Sequence, residues 1–154
     1  MELILWRHAE AEDAGSGGDA ARALTRKGHK QAERMAAWLD AQLDGDWRIL
    51  ASPAKRTLQT VAPLDREFET SDAIGTGTTS AALLRATGWP EGKGNVLVVG
   101  HQPTLGEVAA ELLGVADGSL SIRKGSIWWL VSRSRNGERE TLLKAVIEPD
   151  MLEA

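Results

Sequence analysis

Leu3-Ile4-Leu5-Trp6-Arg7-His8 sets four consecutive apolar residues before a guanidinium and an imidazole. A strand wetted on one side alternates apolar and polar residues, whereas one buried on both faces is apolar throughout. The run therefore predicts a strand inside a parallel sheet covered by helices. Arg7 and His8 then fall at its carboxyl end, where a buried strand opens onto something polar.

The same pattern returns downstream. Trp47-Arg48-Ile49-Leu50-Ala51 reads as a second strand, followed by Ser52-Pro53, a capping residue and a proline suited to the first turn of a helix. Asn95-Val96-Leu97-Val98-Val99-Gly100 is the clearest strand, ending in His101, with Pro103 opening a helix through Val108 and Leu112. Between the first two strands, Thr25 can cap a helix in which Ala32, Met35, Ala36, Leu39 and Leu43 recur at helical spacing. Asp44-Gly45-Asp46 ends that helix. Phe68 marks a short third strand, and a further helix runs from Ala81 to Ala86.

Ala14 to Ala21 is rich in small residues and reads as a mobile loop that does not pack, and Gly75 to Ser80 reads as a second, flexible connecting loop. Past Gly114, strands are expected at Leu120–Arg123, Ile127–Ser132 and Thr141–Ile147, the last two joined by the hairpin signal Asn136-Gly137. The Trp128-Trp129 pair reads as sheet packing on both faces. Strands alternating with helices and closing on a hairpin predict an α/β fold. Its form is a single three-layer α/β/α domain, residues 1–154, with a mainly parallel sheet and antiparallel strands near the C-terminus.

Composition narrows the function classes. The chain has 154 residues, 42% of them apolar and 26% charged, with a net charge of −4. No basic stretch is present, so neither nucleic acid nor an anionic membrane is an expected partner. Without cysteine, disulfides and thiolate chemistry are excluded. Leu3–Trp6 is far too short for a signal sequence, and nothing approaches the roughly 20 apolar residues of a membrane span. A cytoplasmic protein is expected.

Three strand ends carry the unusual residues: Arg7 and His8, then Ser52 and Arg56, then His101. In open α/β sheets the ligand crevice lies outside the carboxyl ends of the strands, so these side chains should converge. Two guanidiniums and two imidazoles suit a compact anion, since the arginine fork matches phosphate oxygens in a bidentate way. The same positive charge would repel a metal, and His29 on the amphipathic helix reads as a surface residue rather than a third ligand.

Arg7-His8 after an N-terminal strand, Ser52-Pro53-x-x-Arg56-x-x-x-Thr60 and Gly100-His101-Gln102-Pro103 together resemble the histidine phosphatase superfamily. The short chain and the Gly-His-Gln-Pro form resemble its SixA-like branch of small phosphohistidine phosphatases. The likeness runs from Leu3 to about Leu113, and Gly125-Ser126-Ile127 is similar as well. It implies that His8 attacks phosphorus and becomes a phosphohistidine, while Arg7, Arg56 and His101 hold the equatorial oxygens. It also implies that Arg22, within Arg22-x-Leu24-Thr25-x-x-Gly28, lines the edge of the site, with Ser52 beside the substrate. No metal or cofactor is implied.

Two departures stand out. The usual Arg-His-Gly reads Arg-His-Ala here, a change that matters only if the residue needs φ > 0. No carboxylate matches the family's proton donor, which leaves Glu10, Asp72 or no residue at all. An imidazole departs more easily than an alkoxide, so the missing acid favours a phosphohistidine protein over a small phosphoester as substrate. A phosphomutase is disfavoured by the short chain. A non-catalytic phosphate-binding regulatory module would need the arginines but not both histidines. A metal hydrolase built on His8, Glu10 and His101 is the remaining alternative.

Overall fold

One mixed sheet organises the molecule, in the order β3-β2-β4-β1-β5-β6. The strands are β1 (Glu2–Arg7), β2 (Trp47–Ala51), β3 (Glu69–Thr70), β4 (Asn95–Gly100), β5 (Ile127–Arg135) and β6 (Glu138–Ile147). The helices are α1 (Arg26–Gln42), α2 (Lys55–Val61), α3 (Ser80–Thr87) and α4 (Thr104–Leu112). This computed structural model describes residues 1–115 and 118–152. The pairs β2–β3, β2–β4 and β1–β4 are parallel, while β1–β5 and β5–β6 are antiparallel.

The apolar periods decide the layers. Ile4 and Trp6 of β1 and Leu97 and Val99 of β4 face Met35, Ala36 and Leu39 of α1 and Val61 of α2. Leu3, Leu5, Val96 and Val98 face the other way, onto Leu83 of α3 and Leu105, Val108 and Ala109 of α4. Trp128 and Trp129 divide between the two cores, and Trp129 meets Trp38 and Trp47 edge-on. Asn136 and Gly137 both take positive φ, 52° and 80°, as a tight two-residue hairpin requires. Among the described residues, no helix is long and apolar enough to cross a membrane.

Chain connections leave the sheet centre on opposite faces: α1 follows β1 on one, α4 follows β4 on the other. The gap between the carboxyl ends of β1 and β4 is therefore the topological switch point, where such sheets bind ligands.

Several sequence expectations need correction. Leu120–Arg123 is not a strand. Its carbonyls are spent on side chains, Ile122 accepting from Arg7 and Leu120 from Gln102, and the Leu120 N–H donates to Gly106. The segment thus packs on α4, and the place beside β1 belongs to β5. Phe68 lies just outside β3 and is exposed. Helix α2 starts at Lys55 rather than at Pro53, because the Ser52 hydroxyl caps the preceding turn by accepting from the Ala54 N–H. The first loop is exposed as expected, but it ends in a helical turn (Asp19–Ala21) whose Asp19 is fastened to Arg56.

Thr25 does cap α1, its hydroxyl accepting from the Gly28 N–H. Gly28 is there for space, since a methyl group at that position would overlap the carbonyl oxygen of Glu10. Gly28→Ala is expected to destabilise the fold by about 3 kcal/mol through this overpacking. At roughly 2–4 °C per kcal/mol for a chain of this size, thermal melting would show it.

Candidate active site

The two strand ends on either side of the switch point carry the histidines. Arg7 pairs with Gly100 in the parallel register, so the next residues, His8 and His101, lie abreast. The ladder extends one step further, the His8 N–H donating to the Gly100 carbonyl at 3.1 Å. The imidazole centroids are 5.4 Å apart, near the roughly 4.8 Å spacing of neighbouring strands. Both rings are buried, 6% and 4% exposed.

Their surroundings hold both rings neutral. Burial pushes His8 down to about 3, the charges of His101, Arg56 and Arg7 add to the fall, and the Ala9 carbonyl pulls the other way. Burial likewise pushes His101 down to about 4, helped chiefly by Arg56 and opposed by Asp19. A carbonyl can only accept, so the 2.7 Å contact between His8 Nδ1 and the Ala9 oxygen places the proton on Nδ1. Nε2 of His8 therefore keeps its lone pair. His101 Nε2 lies 2.8 Å from the Ser52 hydroxyl.

A cavity of about 250 Å³ gathers Arg7, His8, Arg22, Arg56 and His101. Burial lowers the pKa of Arg7, which still lies far above neutrality in any protein. Its Nη1 donates to the Ile122 carbonyl at 2.9 Å. Arg56 donates to both the carbonyl and the carboxylate of Asp19, at 2.9 and 3.1 Å. Arg22 reaches the other oxygen of that carboxylate at 3.2 Å and the Glu12 carbonyl at 2.6 Å. Asp19 thereby joins two of the cationic side chains, and their hydrogen bonds hold its carboxyl below the usual carboxylate range.

Besides Ser126 Oγ, whose residue lines a neighbouring cavity, three buried nitrogens find no hydrogen-bond partner among the described residues: Arg7 Nε, Arg56 Nε and His101 Nδ1. Each belongs to a residue that the strand-end pattern singles out. Buried polar groups are normally satisfied, and three unmet nitrogens on one cavity's residues mark a place adapted to an acceptor.

Thr60 explains the spacing of the second motif. Its hydroxyl donates to the Arg56 carbonyl at 2.7 Å and accepts from the Ala9 N–H at 3.0 Å, tying α2 to the segment after β1. Ala9 is fully buried against Leu24 and Ala32, and its φ is not positive, so the backbone makes no demand for glycine here. Ser52 lies behind the site, holding His101, rather than on the cavity wall.

Glu10 and Asp72 do not reach this cavity. Glu10 accepts from the Thr25 hydroxyl at 2.9 Å, lies 3.9 Å from Lys27 and faces a neighbouring cavity, while Asp72 is exposed in a helical turn. Among the described residues, no three His, Asp or Glu side chains are placed to hold a metal, so His8, Glu10 and His101 form no such set. The sequence reading missed part of the wall. Thr76, Gly77 and Thr78, whose sequence reads as a connecting loop, line the cavity with Glu107 and Lys124. For Glu107 a signal existed: it follows His101 by six residues, and so stands one helical turn beyond Thr104 on the same side.

Residues 3–75 match the model of the histidine phosphatase superfamily (branch 1). The phosphohistidine phosphatase SixA of Escherichia coli (strain K12) is 36% identical over 123 residues, spanning 73% of this chain and 74% of that protein. A SixA homolog from Haemophilus influenzae is 35% identical over 129 residues, spanning 74% and 78%. A solved structure of the protein histidine phosphatase SixA complexed with tungstate superposes with a TM-score of 0.79 at 25% identity. It covers 99% of this chain and all of that one.

Proposed function

Since this chain belongs to the histidine phosphatase superfamily, we propose that it hydrolyses phosphohistidine in a protein substrate through a covalent intermediate on His8. The observation that carries the reading is the set of unmet donors on Arg7, Arg56 and His101 beside an imidazole held neutral. In the first half-reaction, the Nε2 lone pair of His8 attacks phosphorus in line. The bond from phosphorus to the departing imidazole breaks, and its electron pair leaves with that imidazole, which is protonated from solvent. Splitting the displacement in two replaces one difficult transfer with two easier ones.

Charge builds on the equatorial oxygens during transfer, and preorganised donors stabilise it without reorganising. Arg7 and Arg56 supply guanidinium N–H groups. With the Ser52 hydroxyl donating to Nε2, neutral His101 carries its proton on Nδ1 and offers it to a phosphoryl oxygen. The neutral state of His8 at physiological pH makes it a ready nucleophile, and no step calls for a metal. A protein substrate fits the likeness to SixA and its homolog.

A rapid-quench experiment with a ³²P-phosphohistidine protein tests this. Protein-bound label stable to alkali and labile to acid is expected on the enzyme, with phosphate release that survives EDTA. Release of phosphate with no labelled enzyme under any quench time would overturn the covalent route, and EDTA inhibition would overturn its metal independence. Faster turnover of simple sugar phosphates than of the phosphoprotein would move the substrate to small phosphoesters.

A further inference from the structure

We propose that Glu107 is the base that activates water in the second half-reaction, when the phosphoenzyme is hydrolysed. This rests on the covalent route through His8 proposed above. Glu107 is the one carboxylate among the described residues lining the cavity that holds His8 and His101. Its side chain forms neither a hydrogen bond nor an ion pair with any described residue, although Lys124 lines the same cavity. Every other ionic group on that wall is a cation. An unpaired carboxylate there works against binding a phosphate dianion by like-charge repulsion, so its presence calls for a use.

Placement supplies that use. The β4 strand ends at Gly100, His101 follows, and α4 begins at Thr104. Thr104 and Glu107 stand three residues apart on α4, hence on one side of it, and both line the cavity. The Glu107 N–H donates to the Pro103 carbonyl at 2.9 Å, which fixes the first turn relative to His101. Glu10 and Asp72, the sequence candidates for proton transfer, are held elsewhere.

The chemistry needs a base at that moment. An imidazole leaving group can depart without a protein acid, but a water molecule attacking phosphorus must lose a proton. Its oxygen bonds to phosphorus, the phosphorus–Nε2 bond breaks, and that electron pair returns to His8 as the lone pair it began with. The proton passes to the Glu107 carboxylate and from there to solvent, which restores the enzyme. General base catalysis of this kind contributes on the order of 10²–10⁴-fold.

The test compares Glu107→Gln with the unaltered enzyme by rapid quench on a ³²P-phosphohistidine protein. Labelling of His8 should proceed within about twofold of the original rate, while loss of label slows at least about 100-fold. Labelled enzyme then accumulates, and Glu107→Asp should recover part of the dephosphorylation rate. If both half-reactions slowed together, Glu107 would only support the fold or the cavity, and the proposal would fall. It would equally fall if dephosphorylation kept its original rate. Absence of label even in the unaltered enzyme would instead bring down the covalent route itself.

Discussion

Replacing His8 with alanine is expected to lower turnover by on the order of 10⁴-fold or more and to abolish protein-bound label. The proposed nucleophile has no substitute nearby, since His101 lies 5.4 Å away with Nε2 engaged by Ser52. The fold should survive, because the one hydrogen bond of the His8 ring goes to its own neighbour, Ala9, and no distant group loses a partner. Circular dichroism and thermal melting would check this. If the variant kept full activity with an intact fold, the nucleophile would have to be sought elsewhere.

An acid-sensitive fold is the second large effect. His8 and His101 titrate near 3 and 4 in the native state, against about 6.5 in an unfolded chain. Between those limits the unfolded state binds protons that the native state refuses, so stability is greatest above pH 6.5 and falls as the pH drops. With both groups in play the slope approaches about 2.7 kcal/mol per pH unit, and the loss by pH 4.5 is on the order of 5 kcal/mol. That is a sizeable part of the roughly 5–15 kcal/mol that holds a typical domain together. Urea unfolding at pH 7, 6, 5 and 4.5 would measure it, and His8→Ala should roughly halve the slope above pH 5. A flat profile between pH 6.5 and 5 would mean that the imidazoles are charged and solvated in the native protein.

Elements whose own residues specify them were legible in the chain. β2 and β4 span Trp47–Ala51 and Asn95–Gly100 as their sequences suggest, because the apolar residues that dominate each, Ile49–Ala51 and Val96–Val99, are buried. Asn136-Gly137 is local chemistry, two residues tolerant of positive φ, and the hairpin followed. Leu120–Arg123 failed for the opposite reason. Its apolar residues suit a strand, yet Arg7, Gln102 and Gly106 bond to its backbone, and all three are remote in sequence.

The same contrast divides the site. Arg7, His8, Arg56 and His101 follow strands or open helices, so topology alone brings them to one crevice. Arg22 reaches the cavity from a loop only because Asp19 and Glu12 hold it, contacts with no signature in the spacing. Glu10 stood beside His8 in sequence and looked available, but Thr25 engaged it through a capping interaction at the start of α1. The cavity wall at Thr76–Thr78 and Glu107 depends on which segments a third layer presses together, and periodicity does not encode that.

The Arg7–Gly100 register carries a mechanical consequence. The gap between the two imidazoles is a repeat distance of the sheet, maintained by backbone bonds shared across the most deeply buried strands. Insertions, deletions or drift in the surrounding loops leave that distance untouched. Recognition of a partner can thus be rewritten at the rim while the gauge on which the chemistry runs stays calibrated.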